Sequence, residues 1–234
     1  MSTAFEWQVA FPEYLERLDM SLDTFEEHLH LPNTRQVKQV IPLRDIKEVH
    51  SIYPLHNGLL EKLVRGMKTL DGQHHPFEKS DFQLVQIDPS HLKSGQCFVY
   101  KEVYTSIIED LPRMFTKNYA QPQGVNQLGA FMIFGWDAEK NYSLAYYMPP
   151  IIEQHGNELI LMDGTHRSYT TKQMGVMINA ILIKNVSTPF PCTPHYWKDV
   201  KVISLKDKPT DINLRYFNIQ KNLFRDLKWL GIDG

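Results

Sequence analysis

The sequence predicts an α+β protein in which a mixed sheet with short helices follows a mostly helical N-terminal region. Three observations support this class. In residues 11–18 apolar side chains recur at three- and four-residue steps, as on an amphipathic helix. In residues 81–88 polar and apolar side chains alternate, as in a strand. In residues 159–184 an apolar strand, a loop, a short helix, a glycine and a second apolar strand follow one another.

The pattern of elements divides the chain into three regions. These are a helical N-terminal extension over 1–80, a mixed-sheet domain over 81–210, and a C-terminal helix packed on the core over 211–234. Within the domain, 113–147 is predicted to be an insertion. Its aromatic stretches 129–136 and 142–147 are typical of a β-hairpin with a five-residue loop.

Two further helices are predicted from local signals. One begins near Asn57, runs through apolar residues to Met67 and ends before Asp71-Gly72. The other covers 101–111 and ends at Pro112, after which an irregular loop is expected.

Composition and charge limit the classes of function. Hydrophobic residues make up 42% of the chain and aromatic residues 12%, which is enough to fill a core. The formal net charge of -2 argues against nucleic-acid binding driven by bulk positive charge, although a local basic patch is compatible with it. Cys97 and Cys192 do not make a disulfide framework in a chain of this length.

The chain lacks the patterns of a targeting segment or a membrane span. Residues 1–18 carry three glutamates among their apolar residues, unlike a signal peptide. No apolar run reaches the roughly 20 residues that a membrane helix needs. We therefore expect a cytoplasmic protein without a membrane partner, and a homodimer is left open.

The loop 163–167, with the sequence Asp-Gly-Thr-His-Arg, concentrates the chemically useful residues. It follows a strand and precedes a helix, so its amides are the unpaired donors of a helix N-terminus, which attracts anions. Gly164 permits the sharp turn. Arg167 adds a permanent charge with a fork geometry suited to phosphate. His166 can donate a hydrogen bond or carry a proton, and Thr165 can donate through its hydroxyl.

Asp163 is the acidic member of this loop. A carboxylate beside a phosphate is repulsive unless it binds a metal ion, accepts a substrate proton or caps the loop backbone. Taken singly, a capping aspartate, a structural His166 and a surface-paired Arg167 are ordinary features. Their order between a strand and a helix is what favours a functional interpretation.

The loop 163–167 followed by Gly175 resembles the D-G-x-H-R-x(7)-G signature of the ParB/sulfiredoxin-like superfamily. Residues 85–93 resemble the first strand of that family and the turn after it. Residues 149–152 resemble the Pro-Pro-Ile strand that precedes the signature. The resemblance covers about residues 82–205 and is nearest to the free-serine-kinase and ParB-like nuclease-domain branch.

The resemblance implies a nucleotide-binding protein whose loop holds a phosphate chain. The residues that would bind the phosphates of ATP or CTP are Gly164, Thr165, His166, Arg167 and Ser168. Asp163 would bind Mg²⁺, and Asp163 and His166 would be catalytic in a Mg-dependent phosphotransferase with a small-molecule acceptor, or in an NTP hydrolase. The alternatives are a ParB-like nuclease or DNA-binding protein, which the net charge disfavours, and a non-catalytic nucleotide-sensing module.

Two departures from the family pattern bear on catalysis. Thr165 stands where sulfiredoxins keep a reactive cysteine, which argues against sulfiredoxin chemistry. Gln96 stands where the serine-kinase branch carries a catalytic glutamate, and an amide cannot act as a general base. Glu102 or Glu109 is either a substitute or part of a solvated helix face. Whether the chain is an enzyme therefore stays open.

Residues 189–197 are dense in prolines and aromatic side chains. Aromatic faces stack on nucleobases, so this stretch is a candidate wall of a base- or substrate-binding pocket. A rigid packed loop is the competing interpretation.

Overall fold

The computed structural model describes residues 7–29, 34–119, 124 and 126–231. Within them the strands are β1 (Val9–Ala10), β2 (Gln39–Val40), β3 (Glu48–Pro54), β4 (Asp81–Ile87), β5 (Lys93–Ser94), β6 (Phe98–Tyr100), β7 (Phe131–Trp136), β8 (Tyr142–Tyr147), β9 (Ile151–His155), β10 (Glu158–Asp163), β11 (Ile178–Lys184) and β12 (Lys201–Ile203). The helices are α1 (Phe11–Arg17), α2 (Leu22–Leu29), α3 (Asn57–Gly66), α4 (Val103–Thr105), α5 (Leu111–Asn118), α6 (Thr165–Met174) and α7 (Ile212–Arg215). Helices together with mixed sheets confirm the α+β class. In the part of the chain described here, every helix is too short or too polar to cross a membrane.

The chain forms two compact units, and each is assembled from separate segments. The first unit comprises Met1–Met67, Ala130–Met148 and Asp226–Gly234. Its sheet has the strand order β1-β2-β8-β7-β3, in which β2 and β8 are parallel and the other neighbours are antiparallel.

Helix α3 shows how local signals build the first unit. It begins after His56, whose ring nitrogen accepts a hydrogen bond from the Gly58 amide at 3.2 Å. It buries one apolar stripe, which consists of Leu59, Leu60, Leu63 and Val64. The helix ends at Gly66, which confirms the predicted helix from Asn57.

The second unit comprises Lys68–Gly129 and Pro149–Arg225. Its sheet has the order β4-β11-β9-β10-β5, with parallel pairs β11–β9 and β10–β5. Strand β11 lies inside the sheet and is almost wholly buried and apolar, as expected for a strand covered on both faces. The buried core next to it consists of Leu92, Val99, Ile152, Leu161, Ala180, Leu182, Trp197 and Val200.

Residues 1–80, predicted to be mostly helical, contain α1, α2 and α3 in their described part but also supply β1, β2 and β3 to the sheet of the first unit. Strand β3 is not predicted from the sequence, because its pairing register shifts between Val49 and Ser51. Such a shift breaks the period-two alternation by which strands are recognised. The hairpin predicted in 113–147 is confirmed as β7 and β8, but these strands pair with β3 and β2 instead of extending the 81–210 domain.

The helix predicted over 101–111 is displaced along the chain. Residues 98–100 form β6, and the helical stretch begins at Val103, widens to a π-helical turn over Ser106–Asp110 and continues through α5. Pro112 does not end it, because the π-helical turn directly before it already departs from the α-helical hydrogen-bond pattern that a proline would interrupt. The loop expected after Pro112 therefore begins later, and its residues 120–123 and 125 lie outside the described residues.

In the described part of the tail, 211–231, the predicted C-terminal helix is reduced to the four residues of α7 and two single 3-10 turns. Extended backbone separates them, because Phe217 and Arg225 each form a β-bridge with a neighbouring segment. Leu214 and Phe217, which a packed helix would bury, are 60% and 53% exposed. Residues 226–234 belong to the first unit.

Candidate functional site

The loop 163–167 lies at the junction of β10 and α6. Asp163 is the last residue of β10, Gly164 takes a left-handed conformation with φ of +86°, and α6 starts at Thr165. A Cβ atom on Gly164 would lie 2.7 Å from the Pro150 Cβ atom. Glycine is therefore required at 164 for its backbone conformation and for the close approach of Pro150.

The predicted short helix within 159–184 is α6, and it starts inside the loop 163–167, at Thr165. The Ser168 amide donates to the Gly164 carbonyl at 2.9 Å and so makes the first intrahelical hydrogen bond. The amides of Thr165, His166 and Arg167 precede it and form the open, electropositive end of the helix. Gly175, again left-handed with φ of +67°, ends α6 as predicted.

Asp163 and Arg167 pair with each other. The Arg167 Nη2 atom donates to the Asp163 Oδ2 atom at 2.8 Å, and both side chains are largely buried. This i,i+4 pair across the strand-helix junction fixes the orientation of the guanidinium. The carboxylate predicted to bind a metal ion or to accept a proton is thus occupied by the arginine predicted to bind phosphate.

His166 lies against Tyr100 of β6. The two rings stack with centroids 5.3 Å apart and an interplanar angle of 28°. Burial, with a further contribution from the positive charges of Arg167 and Lys208, lowers the pKa of His166 to about 4. The imidazole is therefore neutral at pH 7. Its buried Nε2 atom has no hydrogen-bond partner among the described residues.

Residues outside the predicted loop complete this cluster, which we call the α6 cluster: Tyr100, Asp163, His166, Arg167, Lys208 and Arg215. The Lys208 ammonium lies 5.6 Å from the centroid of the Tyr100 ring. Burial raises the pKa of Tyr100, and the nearby Arg215 guanidinium opposes that rise. Even so, the Tyr100 hydroxyl and the Arg215 Nε atom lack well-formed hydrogen bonds to any described residue.

Tyr216, in the C-terminal segment, lies close enough to the loop 163–167 to interact electrostatically with Asp163. Burial raises the pKa of Tyr216 to about 12. The positive charge of Arg215 opposes this rise, and the negative charge of Asp163 adds to it. The segment is held by a hydrogen bond of 2.9 Å from the Cys97 amide to the Arg215 carbonyl. Lys208 and Arg215 belong to no recognisable motif, so sequence analysis had no signal by which to assign them to the loop.

The other predicted phosphate-binding residues are buried. Thr165 is 6% exposed and Ser168 is fully buried. The Ser168 amide is already paired within the helix, whereas its hydroxyl has no partner within the described ranges. Of the two, Thr165 keeps an amide at the open end of α6.

The residues considered as a substitute general base lie in structural positions. The Glu102 carboxylate accepts hydrogen bonds from the Ser204 hydroxyl and from the Leu205 amide. Glu109 is exposed and pairs with Arg113 at 3.8 Å. Gln96 lies in the bend between β5 and β6, where its amide donates to the Ser94 hydroxyl at 3.2 Å. Both glutamates therefore have structural contacts of their own.

Metal binding by protein side chains alone has no support in the described ranges, where no group of three or more His, Cys, Asp or Glu side chains is arranged to hold an ion. Mg²⁺ is commonly held by one or two carboxylates together with phosphate oxygens of a substrate. An ion at Asp163 would therefore depend on ligand oxygens for most of its coordination.

Comparisons of the chain with protein-family models, with curated proteins and with solved structures found no match.

Proposed function

We propose that the chain binds the phosphate chain of a nucleotide at the N-terminus of α6. The observation that carries the proposal is the α6 cluster. The buried His166 Nε2 atom has no partner among the described residues, and Tyr100, which stacks on His166, has only the nearby Arg215 side chain for its hydroxyl, without a well-formed hydrogen bond. Buried polar groups are rarely left unsatisfied, so such a group of donors favours a ligand that supplies acceptors.

The charges in the cluster favour an anion. Arg167, Lys208 and Arg215 bring three positive groups to this end of α6, against the single negative charge of Asp163 within the cluster. The helix N-terminus adds its partial positive charge. A phosphate chain supplies several acceptor oxygens and the negative charge that these groups would balance.

We also propose that the second unit has the ParB/sulfiredoxin-like fold. In support, the segments that carry the resemblance come together in the second unit: β4 contains residues 85–87, β9 follows Pro150, and β10, α6 and β11 surround the signature. Gly175 ends α6 in a left-handed conformation, which accounts for the last glycine of the signature.

Within this proposal each residue has a distinct task. Asp163 holds the Arg167 guanidinium toward the phosphates, and Thr165 and His166 contribute backbone amides. The neutral imidazole of His166 donates or accepts one hydrogen bond. Lys208 and Arg215 bind oxygens farther along the phosphate chain. ATP or CTP with Mg²⁺ is the proposed ligand, and a bound divalent ion would offset charge on the phosphates.

Catalysis is a separate part of the proposal. In a phosphotransferase or NTP hydrolase, charge on the transferred phosphoryl group would be stabilised by Arg167 and His166. Asp163 could accept a proton only after its ion pair with Arg167 opens. Because that pair is formed and Gln96 replaces the acidic residue of the serine-kinase branch, a nucleotide-sensing module without turnover is the second candidate.

Isothermal titration with ATP, CTP and ADP, each with and without Mg²⁺, tests the binding. Lys208→Ala should weaken binding about 10-fold, because a charge-assisted hydrogen bond is worth roughly 1.5 kcal/mol or more. Lys206→Ala is the matched control, since Lys206 is an exposed lysine two residues away, and it should leave affinity within about 2-fold. If none of the three nucleotides binds at millimolar concentration, the proposal is wrong.

Phosphate release separates the two candidates. An enzyme should release phosphate from the nucleotide that binds, and Asp163→Asn should abolish the release even at saturating nucleotide, while the loss of the contact that orients Arg167 also lowers affinity. A sensing module should bind without release. If Gln96→Glu then creates turnover, the chain is a degenerate enzyme.

A further inference from the structure

The two cysteines of the chain lie in adjoining segments of the second unit, and both thiols are free. Cys97 directly precedes β6, and Cys192 lies in the proline- and aromatic-rich stretch 189–197. A β-bridge joins the two segments at Ser94 and His195, whose amides donate to each other's carbonyls at 2.9 and 2.7 Å. The fold therefore brings together two thiols that are far apart in the sequence.

Each sulfur atom contacts the segment that carries the other. The Cys97 Sγ atom lies 3.3 Å from the His195 Nε2 atom, and the Cys192 thiol donates to the Gly95 carbonyl at 3.4 Å. The antiparallel register of the bridge agrees with this, because three residues after Ser94 is Cys97 and three residues before His195 is Cys192. Both side chains thus lie on the same side of the bridge along the chain.

The two thiols are also close enough to influence each other's ionisation. Burial raises the pKa of Cys192 to about 12, and the charge of an ionised Cys97 adds to that rise. Burial raises the pKa of Cys97 as well, but the positive charge of Lys201 opposes it. With this charge and an imidazole beside it, Cys97 is the thiol that ionises first.

His195 is placed to accept the proton of Cys97. Burial lowers the pKa of His195, an effect that the negative charge of Asp199 opposes, so the ring is neutral at pH 7. A neutral imidazole offers one nitrogen as an acceptor, and the Nε2 atom is the nitrogen that faces the thiol. The Phe217 ring packs edge-on against His195 with centroids 5.0 Å apart, which fixes the orientation of the imidazole.

We infer that Cys97 and Cys192 form a reversible disulfide when the protein is exposed to hydrogen peroxide, with Cys97 as the nucleophile and His195 as its proton acceptor. The Cys97 sulfur attacks a peroxide oxygen, the O–O bond breaks, and His195 passes the thiol proton to the departing hydroxide, which leaves as water. The resulting sulfenic acid is attacked by the Cys192 sulfur. The S–S bond forms, the S–O bond breaks, and the hydroxyl group leaves with the Cys192 proton as a second water.

This modification site adjoins the anchor of the tail. The Cys97 amide donates to the Arg215 carbonyl at 2.9 Å, and the amide of Thr193, next to Cys192, donates to the Phe217 carbonyl at 2.9 Å. Oxidation of the two sulfurs therefore takes place at the contacts that hold the segment 215–217.

Peptide mapping of the full chain tests the inference. The protein is treated with hydrogen peroxide, its remaining thiols are blocked with N-ethylmaleimide, and it is digested without reductant for mass spectrometry. We expect a linked peptide that contains Cys97 and Cys192 and that separates after treatment with dithiothreitol. The measurement uses the wild type, so it does not depend on the folding of a variant.

Variants test the role of each thiol. Cys192→Ser should leave a sulfenic acid at Cys97 that dimedone captures, because the second thiol is missing. Cys97→Ser should give no captured sulfenic acid at Cys192, whose thiol is the harder one to ionise.

His195→Gln should slow the loss of free Cys97 thiol at least about 10-fold, because it removes the proton acceptor. His91→Gln is the matched control, since His91 is an exposed histidine of the same unit, and it should react like the wild type. Near-UV circular dichroism checks that both variants are folded. An unchanged rate in folded His195→Gln would overturn the role assigned to His195.

Other results would overturn the disulfide itself. These are conversion of Cys97 to a sulfinic acid while Cys192 stays free, linkage only between two molecules, or no reaction of either thiol. The proposed function is tested separately, because no nucleotide is present in these experiments.

Discussion

Single residues decide the geometry of the junction between β10 and α6. At Gly164 a positive φ and the close approach of Pro150 coincide, so the loop can turn without a side chain in the way. At His166, a ring that would be half protonated near pH 6.5 in a flexible chain is kept neutral by burial and by neighbouring cations. Both residues have measurable consequences for stability.

Gly164→Ala is expected to destabilise the protein by about 3 kcal/mol. Roughly 1–2 kcal/mol comes from the left-handed backbone and the rest from a methyl group forced against Pro150. Gly175→Ala is the matched control in the same helix, because its φ is also positive but no atom lies within 4 Å of the added carbon. It should cost only about 1 kcal/mol. Urea unfolding measures both, and equal losses would show that Pro150 does not matter.

The lowered pKa of His166 predicts a loss of stability in acid. Below pH 6.5 the unfolded chain binds a proton at this residue and the folded chain does not, so the free energy of unfolding falls as the pH drops toward 4. From pH 7 to pH 5 the wild type should lose about 1–2 kcal/mol more than His166→Gln. Urea unfolding of both proteins at pH 7, 6 and 5 checks this. Parallel curves for the two proteins would contradict it.

Elements of the second unit are joined by a buried ion pair. Arg225, in the extended segment before the C-terminal turn, donates through two nitrogens to the Glu153 carboxylate of β9 at 2.9 and 2.7 Å. Both side chains are essentially inaccessible. The His155 ring adds a contact of 2.8 Å to the same carboxylate, and the Leu223 carbonyl accepts from Arg225 at 2.6 Å. This buried ion pair holds the tail against the sheet, although the tail around Arg225 is not helical.

Arg225→Leu is expected to destabilise the protein by about 3–5 kcal/mol, because it leaves the Glu153 carboxylate buried without its cation. The double variant with Glu153→Leu should recover much of that loss, since no uncompensated charge then remains. Arg113→Ala, which removes exposed ion pairs with Glu109 and Asp110, is the control and should change stability by less than about 0.5 kcal/mol. Thermal unfolding of the three variants tests this, and a double variant as unstable as the single one would contradict the explanation.

At the scale of the whole molecule, the chain order and the compact units do not coincide. The strands β7 and β8 lie far from β2 and β3 in sequence yet share a sheet with them, and the second unit is interrupted by this hairpin. The complete α6 cluster lies within the second unit. Its members come from β6, the β10–α6 junction, the segment after β12 and α7.

Elements with a strong local signal could be predicted from the sequence. The stripe of leucines predicts α3, the aromatic runs around a short polar loop predict β7 and β8, and Gly175 predicts the end of α6. Strand β3 could not be predicted, because the register shift at Val49 and Ser51 removes the alternation. The helix predicted for the tail could not be judged from local sequence, because bridges to other segments outweigh weak helix propensity there.

What the sequence alone determined is the α+β class and the loop 163–167 at a strand-to-helix junction, because turns, caps and apolar periodicity act between residues close in the chain. Tertiary structure decided the partners of that loop. Lys208 and Arg215 reach it through contacts of the tail, Tyr100 through the packing of β6, and the burial that keeps His166 neutral exists only once these segments assemble. Such contacts depend on chain folding across many residues, and no local pattern encodes them.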